Sequence, residues 1–354
     1  MKNKSKRFAS FSLICTVSVA LVAPALGDGY RNPPPTAEGV AKSGANAAFV
    51  DDASAISYNV ANLALQTNSS LVVAATFART ENTYTPPPGG TSFESDGDWN
   101  FLPNIYFAMP VSDGFTVGLG ITTPYGQGIS WEGFGALLNP AAAPPILTVP
   151  YEASARVIDI TPAAAMKLMD NLTIGIGLDI YYSQLELKAV NVSPSFPVPP
   201  TANSKGEGDA WGLGANAALT WLPSEGQRAV LTFKSGVELD YKGDFELNGF
   251  PTLSGDFETT IKYPNSVGLG YGIQLSEDIQ IEALVEWLQW SVNDSQTLTT
   301  GAASQTVPNN WDDTFTLGFG GTWMATDGLA VRAGYAYLPS PIPDETITPL
   351  LVDT

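Results

Sequence analysis

The sequence predicts an all-β fold: a transmembrane antiparallel β-barrel of the outer membrane, with an N-terminal plug, or hatch. Three observations lead there. Charged residues make up only 14% of the chain, against roughly 25% for a soluble domain. After the N-terminal leader no run of about twenty apolar residues follows, so an exported chain of this kind can live in a membrane only as a closed barrel. Finally, segment after segment alternates large apolar residues with Gly, Thr or Asn, the period-2 pattern of a strand with two unlike faces.

The leader covers 1–27. Lys2, Lys4, Lys6 and Arg7 form a basic start, Phe8 to Val22 an apolar stretch, and Ala25-Leu26-Gly27 a small-x-small exit. These are the parts of a cleaved secretory signal peptide. Next comes "DGYRNPPPTAEGVAKSGANAAFVDDASAISYNVANLALQTNSS", which does not alternate and is rich in Ala, Asn, Gly and Ser. A proline run followed by short Ala-rich helical patterns predicts a compact non-strand unit over 28–70. In a wide barrel its natural place is the lumen. Asp51 and Asp52 are expected to serve capping or turn chemistry.

From residue 71 to 354 the pattern is that of a barrel wall. "FTVGLGIT" sets Phe115, Val117, Leu119 and Ile121 against Thr116, Gly118, Gly120 and Thr122. "LTIGIGLDIYY", "WGLGANAALTW", "VGLGYGIQL", "FTLGFGGTW" and "LAVRAGYAY" repeat the arrangement. A soluble sandwich gains nothing from a solvent face of glycine, which weakens a strand; lipid outside and a crowded lumen inside do favour that split. In "AVLTFKSGVELDYKGDF" continuous alternation would put Leu231, Phe233, Val237, Leu239 and Tyr241 on one face. Lys234, Glu238, Asp240 and Lys242 would then share the other.

Trp211, Trp221, Trp287, Trp323, Tyr181, Tyr182, Tyr335 and Tyr337 fall near strand ends, as interfacial girdles require. Short turns such as "VSDG", "MDN", "PSEGQ", "SED" and "TDG" alternate with long connections such as "TPPPGGTSFESDGD", "GFGALLNPAAAPP" and "DSQTLTTGAASQTVPNN". That alternation is the periplasmic-turn and outer-loop signature. About eleven strands are visible, near 71–80, 101–111, 115–125, 154–169, 172–188, 208–222, 228–245, 257–275, 279–296, 313–325 and 329–338. Single-chain bacterial barrels close with even numbers, so the count predicts a C-terminally truncated sequence.

The composition excludes several functions. Histidine is absent and Cys15, in the leader, is the only cysteine. A histidine-dependent nucleophile and a Cys/His metal cluster are therefore ruled out. No catalytic residue, metal ligand or cofactor is expected, and the chain is not read as an enzyme. A formal charge of −19 without a basic stripe excludes nucleic acid as a partner. Expected partners are outer-membrane lipid and lipopolysaccharide, a hydrophobic small molecule and the barrel-insertion machinery, with the chain a monomer. Lumen-facing candidates are Lys234, Glu238, Asp240, Glu282, Glu286 and Arg332, read first as structural ion pairs.

Several stretches resemble the FadL/TodX family of outer-membrane transporters of long-chain fatty acids and aromatic hydrocarbons. "GANAAFVDDASAISYNVANLA" is similar to the family's hatch, whose Asn-Pro-Ala motif stands here as Asn59-Val60-Ala61. "LPNIYFAMPVSDGFTVGLGITTPYG", "EWLQWS" and "VRAGYAYLPSPIPDETI" resemble wall strands. The resemblance implies fourteen strands, of which three C-terminal ones are missing here. It also implies a third strand kinked inward, leaving a lateral opening through which ligand diffuses into the membrane. Pro124-Tyr125-Gly126 fits such a kink, since proline removes a ladder donor. The residues alone equally allow Pro124 to mark the strand's end. Two departures stand out: Val60 replaces the motif's proline, and the family's basic carboxylate-holding residue has no clear counterpart, Lys188 being nearest. The function expected is passive uptake of hydrophobic compounds across the outer membrane of a Gram-negative-type bacterium. A general porin and a structural or adhesive barrel are the alternatives.

Overall fold

A computed structural model describes residues 28–84, 92–97, 99–131, 147–192 and 201–348. The leader, the connections at 85–91, 132–146 and 193–200, and the chain after 348 lie outside the described residues. The expectations placed on them lie there too.

Eighteen strands follow in order. They are β1 (Ser70–Arg79), β2 (Thr83–Tyr84), β3 (Phe93–Glu94), β4 (Trp99–Ser112), β5 (Phe115–Thr122) and β6 (Gly126–Ser130). Then come β7 (Leu147–Met169), β8 (Leu172–Val192), β9 (Thr201–Trp221), β10 (Gln227–Lys234), β11 (Val237–Leu247) and β12 (Gly255–Tyr263). The last six are β13 (Ser266–Gln274), β14 (Ile279–Leu288), β15 (Ser295–Thr300), β16 (Ala303–Pro308), β17 (Thr314–Thr326) and β18 (Leu329–Tyr337). Among the described residues sixteen of them form one antiparallel sheet, and β2–β3 form a separate pair. Five neighbouring pairs (β5/β6, β10/β11, β12/β13, β14/β15, β16/β17) are single passes broken by a short irregularity. The wall thus makes the eleven passes the alternation predicts. Among the described residues β1 and β18 do not pair with each other.

The wall curls around residues 28–66. This segment folds into a short helix at Ala37–Ala41, another at Ala55–Tyr58 and a 3₁₀ helix at Val60–Leu65. It touches strands from both ends of the sheet: Val60 and Ala61 lie against Gly175 of β8, Phe49 against Gly272 of β13, and Lys42 against Gly334 of β18. A Cβ built on Gly175 would sit 2.5 Å from the Val60 carbonyl carbon, and one on Gly334 2.2 Å from that of Lys42. The small face of the strands is therefore the inner face, and it is small because backbone is pressed onto it.

The large apolar residues point out. Leu213 is 70% exposed, Leu269 63% and Phe319 58%. Left in water, each such side chain would forgo about 1.5–3 kcal/mol; lipid removes that deficit. The apolar band is bounded by aromatics on β8 and β9. Trp221 stands opposite Leu172 at one edge, and at the other Tyr182 stands opposite Trp211, their rings 4.8 Å apart. Ten residues of strand separate the two tryptophans, roughly 33 Å along a strand and about 25 Å of membrane height at the usual tilt. Beyond Tyr182 and Trp211 the outward positions turn charged, with Glu186 and Lys188 on β8 and Lys205, Glu207 and Asp209 on β9. The inward positions turn apolar.

Three expectations are corrected here. The segment 294–310, expected as a loop, is the β15–β16 hairpin, turned at Gly301 with φ +60°. Its Thr, Ser and Gln residues form a polar ladder on a wall that has left the membrane. The second correction concerns β11. Lys234 pairs with Asn216 of β9, whereas Lys242 pairs with Asp209, so the register slips by one residue at Ser235-Gly236. A bulge of this kind reverses which side chains face inward. Leu231 and Phe233 face lipid, but Val237, Leu239 and Tyr241 face the lumen. Glu238 and Asp240 are therefore on the outer surface, not in the lumen. The strand breaks again at Pro264-Asn265 on the partner pass, and the two passes shift together. Tyr181, placed among the girdle aromatics by its position, is fully buried and points inward.

The fit of the segment against glycine is testable. Gly175→Leu is expected to abolish the compact, heat-modifiable band of a folded barrel on SDS gels. Gly321→Ala, whose nearest non-neighbouring atom would be 3.6 Å away, is expected to preserve it.

Candidate functional site

The third pass is where the pairing of the wall is interrupted. β5 pairs with β4 up to Ile121 opposite Ile105, and with β7 up to Thr122 opposite Asp159. Thr123, Pro124 and Tyr125 then leave the ladder. β6 resumes with Gly126 opposite Arg156, still paired to β7. Three residues on this side face two on β7, and the pass bends away from β4. Among the described residues Trp99–Asn104 of β4 pair only with β1. A proline here costs no ladder bond, because there is no ladder on that side.

Unpaired backbone in a membrane wall is costly, and side chains and the N-terminal segment cover it. Buried Asn104 accepts the Thr123 backbone N–H through Oδ1 at 3.1 Å. Higher up, Asn100 faces Gly128: a Cβ built there would lie 3.2 Å from the amide oxygen. From inside, residues 30–32 run antiparallel to the break. The Asn32 N–H donates to the Pro124 carbonyl at 3.0 Å, the Gly126 N–H to the Tyr30 carbonyl at 3.1 Å, and the Asn32 amide to the Thr123 carbonyl at 2.9 Å. Arg31 and Tyr125 form a bridge.

Above the segment the lumen holds a packed aromatic cluster. Tyr30 lies among Tyr263, Trp290 and Trp311, at ring distances of 5.9, 6.1 and 4.9 Å. Tyr125 stacks on Tyr263 at 4.3 Å. Val157, Tyr181, Leu185, Val237 and Leu239 complete the cluster. Burial, and to a smaller degree the neighbouring Tyr241, hold the Tyr30 hydroxyl above its ordinary pKa, so it stays a neutral phenol.

The charged candidates separate into three groups. Lys234 lies inside at the cluster's floor, 2.8 Å from Asp159 and 3.6 Å from Asp179. Glu282, Glu286 and Arg332 also face inward, each held by the N-terminal segment. Glu282 accepts from Lys42 at 2.6 Å and from the Ala48 N–H at 2.8 Å; Glu286 pairs with Arg31 at 2.8 Å; Arg332 pairs with Glu38 at 2.9 Å. Glu238 and Asp240 take surface partners, Lys262 and Thr260. Lys188 is on the outer face, with Glu152 and Glu186. Asp51 pairs with Arg228 of β10, and Asp52 caps the turn at Ser54.

The hatch-motif residues lie where the segment meets β8 and β9. The Asn59 side chain starts the 3₁₀ helix by accepting the Ala61 N–H at 3.2 Å, and reaches Thr220 Oγ1 at 2.8 Å and the Ala47 carbonyl at 2.9 Å. Val60 is the first residue of that helix. A proline is well tolerated at such a position, which is why valine and proline can exchange there. Ala61 is fully buried beneath Gly175.

A model of outer-membrane transport proteins (OMPP1/FadL/TodX) matches residues 17–354. The chain belongs to this family. It is therefore an outer-membrane protein of the Gram-negative type and a member of a non-enzymatic transport family for hydrophobic compounds. The long-chain fatty acid transport protein of Escherichia coli O6:H1 is 22% identical over 287 residues, covering 69% of this chain and 61% of the relative. The chain thus spans less than two thirds of that relative's length. A FadL homologue of Pseudomonas aeruginosa superposes with a TM-score of 0.74 at 19% identity, over 91% of this chain and 84% of that one. The Pseudomonas putida toluene transporter TodX does so at 0.69 and 17%, over 89% and 86%.

Some features of this family member escaped the sequence pattern. Asn100 and Asn104 occupy inward positions on β4, where their spacing was the available sign. Asp159 and Asp179 each stand alone among small inward residues. Tyr30 carried no sign at all, because its neighbours are distant in sequence.

The segment's anchor gives a prediction. Glu282→Ala leaves Lys42 buried without its nearest carboxylate, which is expected to cost about 3–5 kcal/mol in urea unfolding from lipid vesicles. Glu238→Ala, on the surface, is expected to change little.

Proposed function

We propose that this protein passes hydrophobic compounds passively from the outer surface into the membrane, leaving sideways through the break at Thr123–Tyr125. The observation that carries the proposal is the missing ladder between Trp99–Asn104 of β4 and β6. It is supported by the apolar, largely aromatic cluster directly inside that break. Residues 28–66 act as the hatch: they fill the lumen below the cluster, so a straight aqueous route is obstructed. Asn59, Val60 and Ala61 seat the hatch on β8 and β9. Pro124, Tyr125 and Gly126 shape the opening, and the 30–32 strap must shift for a ligand to pass. No energy coupling or cofactor takes part. Fatty acid and toluene, named for the relatives, are the first compounds to test.

Asn100→Cys with Gly128→Cys places two thiols across the break, in a chain whose only other cysteine is Cys15 of the leader. Under oxidation, uptake of labelled toluene by cells expressing the pair is expected to fall to the level of cells lacking the protein. Reduction should restore it. Pro124→Ala, which returns an amide hydrogen to the break, is expected to slow uptake severalfold. Undiminished uptake by both would remove the lateral route. A general pore would instead show steady single-channel conductance in the unmodified chain.

A further inference from the structure

The cations of the cluster are already taken. Lys234 is shared by two carboxylates, Asp159 and Asp179, and Arg31 by two more, Asp28 at 3.2 Å and Glu286 at 2.8 Å. Thr161 and Asn216 add further donors to Asp179 Oδ1, at 3.0 and 2.8 Å. Even so, Asp179 Oδ2 is buried without a partner, and the Tyr181 hydroxyl two residues up the same face is too. Two carboxylates around one cation leave a formal excess of one negative charge in each group. The first group stands beside the break, since Asp159 is the β7 partner of Thr122, the last residue of β5. At the opposite end of the hatch, a cavity of about 320 Å³ is lined by Glu38, Asp51, Asp52, Glu277 and Asp278 with Arg332. The rest of the cluster is aromatic or aliphatic, and its unpartnered polar atoms include the indole N–H groups of Trp290 and Trp311.

We infer that the passage selects uncharged hydrophobic molecules and rejects their carboxylates, with Asp159 and Asp179 as the specificity-determining residues. The inference rests on the passage proposed above. A ligand carboxylate entering the cluster meets no uncommitted cation among the described residues. At the floor it approaches an anionic group in a poorly hydrated site, where repulsion is far stronger than in water. A neutral oxygen suffers no such penalty. Lys234 does not reverse the preference, because its charge is spent on the two aspartates and its ammonium lies 5.5 Å from the centre of the Tyr181 ring.

The test uses the purified full chain in detergent micelles and three probes of one shape: 4-heptylphenol, methyl 4-heptylbenzoate and 4-heptylbenzoate at pH 7. Binding is followed by the fluorescence of the cluster tryptophans. The phenol and the ester are expected to bind at least about tenfold more tightly than the benzoate, a difference of about 1.4 kcal/mol. Asp179→Asn and Asp159→Asn should each narrow that ratio severalfold by strengthening benzoate binding, with the neutral probes little changed. Lys234→Gln should widen it. Folding of each variant is checked by heat-modifiability, and any one folded variant suffices, because each aspartate variant predicts a narrower ratio and Lys234→Gln a wider one. Equal binding of benzoate and ester by the unmodified chain would overturn the charge selection while leaving the passage intact. Absence of binding by all three probes would instead remove the cluster as a ligand site, and the proposed passage with it.

Discussion

The N-terminal segment pressed on glycine is the constraint on which the rest of this structure depends. Residues 45–61 approach β5, β8, β13 and β17 so closely that side chains on those inner faces would collide with them. Gly118, Gly120, Gly175, Gly272 and Gly320 stand where Ile56, Val60, Phe49 and Ala45 arrive. Glycine in a strand interior weakens the strand, and here the loss is offset by a packed core that a membrane barrel of this width would otherwise lack. Buried Asn59 and Asn62 satisfy the segment's turns from within, and Thr220 ties them to the wall. The hatch is thus part of the wall's own packing.

The same constraint sorts the lumen into levels. Where the hatch lies, inward residues are Gly, Ala and Thr. Where it ends, they become Tyr, Leu, Val and Trp, and the outward residues turn from apolar to charged at the same height, as Tyr182 gives way to Gln184, Glu186 and Lys188. An apolar interior above the membrane needs a polar exterior, so both faces of one strand change character at one boundary. In β11 the change is made by slipping a residue. In β8 it is made by changing the sequence on each face.

This explains which parts of the fold were legible in the sequence. Alternation in β5, β8, β9, β13 and β17 reports lipid on one side directly, and the eleven passes follow from it. Glu238 and Asp240 lie on the face opposite to the one alternation predicts because a bulge interrupts the period at Ser235-Gly236, and a bulge leaves no mark in a count of alternating residues. Tyr181 shows the opposite limit. Its position beside Tyr182 suggests a girdle, but only one of two adjacent strand residues can face lipid. Pro124 is legible as an interruption; that β4 keeps only its β1 partner beyond Ile105 is not, because pairing belongs to two segments at once. The aromatic cluster was invisible for the same reason, since Tyr30, Tyr263, Trp290 and Trp311 meet only when the wall has curled.

The height of the break gives the proposed route its physical sense. Thr123–Tyr125 lie opposite Val157 and Ile158 of β7, and these pair with Ser183 and Tyr182 of β8. The opening is therefore level with the outer girdle, at the rim of the apolar band. A hydrophobic molecule within the cluster has already been carried past the charged outer surface of the wall. Continuing down the axis would drive it through the hatch and its ion pairs, exchanging apolar surroundings for polar ones. Turning sideways at the girdle exchanges an aromatic cluster for lipid, with only Asn100, Asn104 and the 30–32 strap between them. Of the two exits, the lateral one keeps apolar surface out of water at every step, and the wall is unpaired at the one height where that exit can be used.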